Sequence, residues 1–211
     1  MESTHEVFNA VLGKSSSLRI PKNQLLLPGG EEFGHIYILR RGVVKMVSGG
    51  EQNIQLLHLL RPLSLMPLAF FSGRKSRTQW EYITHTECLV SSIPADNLYK
   101  KLRDNGKMAT DLTKWFSLEV HELLIRLNSL GKSDTRDKML AALKFLASYH
   151  TEPAQNDWAE VSFPASYQFL ADMTGVTREA ISMNIKYFQT HSLVRSIGRS
   201  KIEINNKIMD I

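Results

Sequence analysis

The sequence is poorest in cysteine. A single one, Cys88, stands among 211 residues, which rules out a disulfide within the chain and leaves too few thiolates for an iron–sulfur cluster. No apolar run is long enough to cross a bilayer, and the opening stretch MESTHEVFNAVLGKSSS has neither the charged start nor the continuous apolar centre of a secretion signal. The expectation is a cytoplasmic protein with no membrane partner. Catalytic signatures are missing as well: there is no P-loop, no nucleophile elbow and no HExxH. Cys88 lies in a strand-like run beside apolar residues, where a thiol is more often inert core than nucleophile. His35, His58, His85 and His121 share no spacing that implies a common haem or metal site. An enzyme, a bound metal and a cofactor are therefore all unexpected.

What is present is an ordinary apolar content of 43%, enough for one large domain or two small ones. The net charge of +5 leans weakly toward a polyanionic partner. Its distribution says more. From Thr177 to the end, six basic residues stand against three acidic ones, a net +3, whereas Asp134 to Gly175 holds three basic and six acidic. Positive charge is focused near the C-terminal end, as phosphate contacts require.

That end carries the most specific pattern. Ser166 reads as the N-cap of a short helix, Tyr167 to Met173, whose Phe169, Leu170 and Met173 fall at helical spacing. Gly175 breaks it, and Thr177 caps a longer helix to about Gln189 with Glu179 in its first turn. On the second helix Ile181, Ile185 and Phe188 can face a core, while Arg178, Ser182, Lys186 and Gln189 line an outer face. Leu193-Val194, a turn at Gly198 and the alternating Lys201 to Ile204 read as a two-stranded wing. A helix fits the major groove of DNA and reads bases from its N-terminal turns. An arginine there can bond guanine bidentately and a glutamate can accept from cytosine, which makes Arg178 and Glu179, with Ser182 and Met183 beyond them, the expected base-contacting set. Ser166, Gln168, Thr177, Lys186, Arg199 and Lys201 are the expected phosphate contacts. The competing reading is a plain three-helix core with a solvated charged face.

The run Gly175-Val176-Thr177-Arg178-Glu179-Ala180-Ile181-Ser182 resembles the recognition-helix motif of the Crp/Fnr superfamily of bacterial transcription regulators. Met183 departs from it, standing where the family usually has a second base-reading arginine. Upstream, Ile20 to Leu27, Ile36 to Leu39, Val43 to Val47, Ile54 to Leu60 and Leu89 to Ile93 are short β-rich runs between turns, the pattern of a barrel or sandwich. Pro21 to Gln24, Gly29-Gly30, Tyr37 to Gly42 and Val44-Lys45 look like the β-roll of cyclic-nucleotide-binding domains, with Gly42 at a tight turn. The expected fold is thus α+β: a jelly-roll-like N-terminal β-roll over residues 1–106, a long helix and hinge over 107–133, and a winged helix-turn-helix over 134–211. A short helix around Val7 to Leu12 is expected before the roll.

From about Asp96 to Gly131 the pattern is helical. Ala109, Thr113, Phe116, Val120, Leu123, Leu127 and Leu130 recur at spacings of four and three, an a/d seam. Periodicity leaves open whether this seam packs on the chain's own β-roll or on a partner. The family resemblance implies a partner, and so a homodimer reading two half-sites, with Phe116, Val120, Leu123, Leu127 and Leu130 at the interface. Gly131 to Asp134 reads as a break, Asp134 capping a helix to about Ser148. The polar loop 151–157 resembles the surface by which some family members touch RNA polymerase, and reads equally as a plain connection.

The family's cyclic-nucleotide pocket uses a Gly-Glu segment and a phosphate-binding arginine. Arg61 to Leu68 has neither glycine nor acid, Thr78 falls near the arginine's position with Arg77 one residue off and Arg74 further, and Leu123 and Leu124 occupy adenine-facing positions. The resemblance therefore implies a regulator that does not depend on cAMP. Leu63, Leu65, Met66, Leu68, Phe70, Phe71 and Trp80 would line an apolar site for an unknown small-molecule effector, or form a filled core; packing is the commoner use of such residues.

Overall fold

The computed structural model describes residues 11, 17–48, 55–72, 77–152, 156–197 and 200–211. The chain divides into two compact units, residues 1–121 and 122–211, with the boundary inside its longest helix.

Among the described residues of the first unit eight strands follow in order: β1 (Ser17–Ile20), β2 (Leu25–Leu27), β3 (His35–Arg41), β4 (Val44–Ser48), β5 (Gln55–Leu60), β6 (Leu65–Met66), β7 (Glu81–Thr84) and β8 (Cys88–Pro94). They form two antiparallel sheets, in the orders β1-β8-β3-β6 and β2-β7-β4-β5. Alternation sets the faces: in β3, Ile36 and Ile38 are fully buried while Tyr37 between them is half-buried. The expected run Ile20 to Leu27 is in fact two strands. Between them Asn23 takes φ 60°, its N–H donates to Thr84 O, and the Thr84 hydroxyl donates to Pro21 O at 2.7 Å. β6 and β7 are additions to the expected set, too short for alternation to register in the sequence. Gly42, linking β3 to β4, has φ 95°, and a Cβ there would stand 2.4 Å from Glu87 O and 2.8 Å from Cys88 Sγ. Only glycine fits this crossing.

Two helices follow, α1 (Ala95–Asp104) and α2 (Gly106–Leu130). The single helical stretch expected from Asp96 is broken at Asn105, whose Oδ1 accepts from Met108 N at 3.0 Å and so starts a new helix. Leu98, Met108, Leu112 and Trp115 close the core over Ile36, Ile38, Leu65, Phe70 and Ile93. Phe71 stacks on Phe116 at 4.3 Å.

The second unit holds α3 (Thr135–Tyr149), strand β9 (Trp158–Glu160), α4 (Tyr167–Thr174), α5 (Arg178–Thr190), and strands β10 (Val194–Ile197) and β11 (Lys201–Asn205). Asp134 caps α3 as expected, accepting from Arg136 N and Asp137 N. Met139, Leu143, Phe145 and Leu146 of α3 are buried, as are Phe169 and Leu170 of α4 and Ile181, Ile185 and Phe188 of α5. The wing is a three-stranded sheet, β10-β11-β9, rather than the expected ribbon of two. Of the expected Val7–Leu12 helix only Val11 is described; Arg74, Gly198, Arg199, Ile54 and residues 153–155 of the polar loop lie outside the described residues.

Candidate nucleic-acid interface

The helix-turn-helix is built by its caps. Ser166 Oγ accepts from Phe169 N at 3.1 Å, and Thr177 Oγ1 accepts from Ala180 N at 3.3 Å. Each hydroxyl keeps its own proton to donate, so capping does not preclude a phosphate contact. Between the helices Gly175 takes φ 64°, and its N–H closes α4 on Ala171 O. With the apolar row of α5 buried, Arg178, Glu179, Met183, Lys186 and Gln189 are left exposed, Met183 at 67%. Ser182 is half-buried on the edge of that face.

Two contacts fix the rotation of α5 against α3. Asn184 Nδ2 donates to Thr135 Oγ1 at 3.4 Å, and the Arg136 guanidinium lies 4.0 Å above the Tyr187 ring. Neither pair is visible in the sequence, because residues about fifty apart leave no local signal. At the far end Gln189 Nε2 donates to Ser196 Oγ of β10 at 3.1 Å, tying α5 to the wing. Gln168 is exposed and bonded to Asp172 at 2.8 Å.

Among the described residues, the wing's basic side chains are engaged internally. Lys201 Nζ donates to Glu160 Oε1 at 2.7 Å, and this carboxylate raises the lysine's pKa. Arg195 pairs with Glu203 and lies 4.1 Å over the Trp158 ring. Trp158 and Glu160 belong to β9, a three-residue strand that sequence reading misses. Among the described residues neither Arg178 nor Lys186 has an ion-pair partner.

Residues 138–207 match the Crp-like helix-turn-helix domain. The whole fold matches FixK2 from Bradyrhizobium japonicum with a TM-score of 0.78 at 14% identity, covering 93% of this chain and 96% of that one. The C-terminal domain is thus a Crp-like helix-turn-helix, set in a chain with the fold of FixK2. A cyclic nucleotide-binding domain containing protein from Listeria monocytogenes gives a TM-score of 0.78 at 16% identity, covering 95% and 98%. A CRP/FNR family transcriptional regulator from Thermus thermophilus gives 0.72 at 19%, covering 92% and 97%. No curated protein sequence matches the chain. No described helix is long and apolar enough to cross a membrane.

The expected seam on α2 resolves into separate rows. Leu112, Trp115, Glu119, Glu122, Arg126 and Ser129 are buried, and Val120, Leu124 and Leu127 are exposed at 37, 58 and 65%. Leu123 and Leu130 are half-buried, and Phe116 is spent on Phe71. The outward apolar row therefore runs through Leu124, one residue on from the position that spacing suggests.

The apolar segment before β7 is mostly filled. Leu65, Met66 and Phe70 are at most 2% exposed, and Leu63, Leu68 and Phe71 pack on the same core or against it. Trp80 does not join them; it is 38% exposed. Thr78 is buried, its hydroxyl donating to Trp80 O at 2.9 Å and its N–H to Glu31 O. Cys88 is 1% exposed, its Sγ donating to Val43 O, and burial raises the thiol's pKa, all of which suit an inert thiol. His58 is buried with Nε2 3.4 Å from Glu119 Oε2, a juxtaposition across 61 residues that spacing could not reveal.

Proposed function

We propose that this protein is a sequence-specific transcription regulator that binds double-stranded DNA as a homodimer on a roughly palindromic site. The exposed face of α5 carries this reading. Arg178 and Glu179 stand in its first turn with no ion-pair partner among the described residues, behind a capped turn that fixes their direction. Ser182 and Met183 extend the base-reading set; Ser166, Gln168, Thr177, Lys186 and Arg199 are the phosphate contacts, with Lys201 contributing only in so far as it leaves Glu160. The exposed row Val120, Leu124 and Leu127 supports pairing with a second copy. Residues 1–106 act as the sensor domain, 107–133 as pairing helix and hinge, and 134–211 as the DNA-binding domain.

The protein works in the cytoplasm by binding, not by catalysis, and independently of cAMP. The last point is supported by Thr78, whose hydroxyl and N–H are already engaged by Trp80 O and Glu31 O, and by the packed Leu65, Met66 and Phe70. Any effector would be an apolar small molecule, and the 151–157 loop is the surface offered to RNA polymerase. Selection of duplexes from a random library tests the reading. Enrichment of an inverted repeat with half-sites about one helical turn apart is expected. Recovery of unenriched DNA would leave the alternative, a cyclic-nucleotide-binding or other small-molecule-binding regulatory module with no direct DNA role.

A further inference from the structure

The buried face of α2 contains a cation where a packing helix would ordinarily present an apolar side chain. Arg126 is 3% exposed, and its Nη2 donates to the backbone carbonyl of Met173. Nη1 donates to Ser129 Oγ at 3.2 Å, and Ser129 Oγ donates back to Arg126 O at 2.6 Å, so the side chain is braced from its own helix. Burial pulls the guanidinium down to about 10, still well above neutral pH, so it is charged. Met173 lies in the last turn of α4, where carbonyls have no partner within the helix and the helix dipole presents negative charge. The neighbouring ends are already closed: Gly175 N–H on Ala171 O, and the Thr174 hydroxyl on Leu170 O at 2.7 Å. Arg126 supplies the donor that Met173 lacks, two residues before the Gly175 turn that aims α5.

We infer that Arg126 is a positioning residue for DNA reading: it clamps the C-terminal end of α4 to α2 and so holds the Gly175 turn, and with it Arg178 and Glu179, in register with the groove. The placement carries a second consequence. Leu124 and Leu127 project from the opposite side of the same two turns of α2. A partner helix seated on them and the helix-turn-helix held by Arg126 thus share one short rod, so pairing of two copies fixes the spacing of their reading helices through Arg126. This inference rests on the DNA-binding function proposed above.

The test uses the full chain with Arg126→Met, which removes the buried charge while keeping length and apolar stem, and Arg126→Lys, which keeps charge but loses the two-pronged donor. Three quantities are measured: sedimentation, amide exchange at residues 174–178, and affinity for the selected duplex against a scrambled one. Arg126→Met is expected to stay dimeric, to exchange faster across the turn, and to lose about tenfold or more of its specific-to-random affinity ratio with random binding unchanged. Arg126→Lys should fall between it and the native protein, and decides the matter if Arg126→Met fails to fold. Native exchange together with a native affinity ratio in a folded variant would overturn the inference. A role in folding alone, which would also overturn it, would lower thermal stability and leave the ratio intact. If the native protein itself shows no preference among duplexes, the DNA-binding function fails, while exchange at the turn still tests the clamp.

Discussion

The reading helix and the wing look alike in composition and differ in what their charges are doing. Both contribute basic residues to the same positively charged end of the chain. On α5, Arg178 and Lys186 project without an ion-pair partner among the described residues. On the wing, among the described residues, Lys201 is held by Glu160 and Arg195 by Glu203, so each of these two cations comes with its own carboxylate. A count of charges along the sequence treats these as equal; a phosphate backbone does not, because it must compete with an anion already in place. Sequence discrimination and most of the electrostatic attraction should therefore come from α5, with the wing contributing steric guidance more than charge.

The largest effect expected concerns how many reading helices are presented together. Leu124→Asp places a charge in the exposed apolar row of α2 and should convert dimer to monomer. Loss of the second half-site should weaken binding to the palindrome by roughly 10²–10⁴-fold. Sedimentation checks the premise, and a variant that stays dimeric would put the interface elsewhere. Next in size is Arg178→Ala, which removes a bidentate base contact and should cost about 1–3 kcal/mol on the selected site with little change on random DNA. Equal loss on both duplexes would erase the distinction between helix and wing.

Local chemistry was legible and long-range pairing was not. The caps Ser166, Thr177 and Asp134, the left-handed Gly175 and the buried row Ile181, Ile185 and Phe188 each depend on residues within a turn or two, so sequence spacing reveals them. The orientation of α5 depends on Thr135 with Asn184 and on Arg136 with Tyr187, pairs that only folding brings together. The same holds for Glu160, which neutralises Lys201 from a strand too short to announce itself. On α2 a one-residue difference mattered: Leu123 and Leu124 are both apolar at neighbouring heptad positions, and periodicity cannot rank them when the buried row turns out to include Glu119, Glu122 and Arg126.

Met183 offers a sharper probe of the helix side. It is 67% exposed on the face that carries Glu179, and a methionine there can meet a thymine methyl but offers no donor to guanine. The base pair opposite should prefer A·T, and Met183→Arg should shift it toward G·C by about 1–3 kcal/mol while leaving the position read by Arg178 unchanged. Selections run in parallel on the two proteins report both positions at once. Identical half-sites would mean that α5 lies rotated in the groove.

The smallest expected effect tests the wing side directly. A free lysine that meets one phosphate contributes about 0.9 to the slope of log affinity against log salt. Lys201 is not free: it must leave Glu160, at 2.7 Å, or share itself between carboxylate and phosphate. An exposed pair of this kind is weak and screened by salt, so DNA can break it, but the cost is subtracted from what the phosphate gives. Glu160→Gln removes that competition and a repulsive charge together. It should tighten binding to selected and random duplexes alike, by roughly a few-fold at low salt, and steepen the slope by less than about one unit. The decisive comparison is Lys201→Ala in both backgrounds. Beside native Glu160 it should change the slope little; beside Glu160→Gln it should lower it by the full value of about 0.9. If Lys201→Ala costs a full unit with Glu160 in place, and Glu160→Gln changes neither affinity nor slope, the lysine swings clear of its carboxylate when DNA arrives. The wing would then bind phosphates on the same terms as the helix.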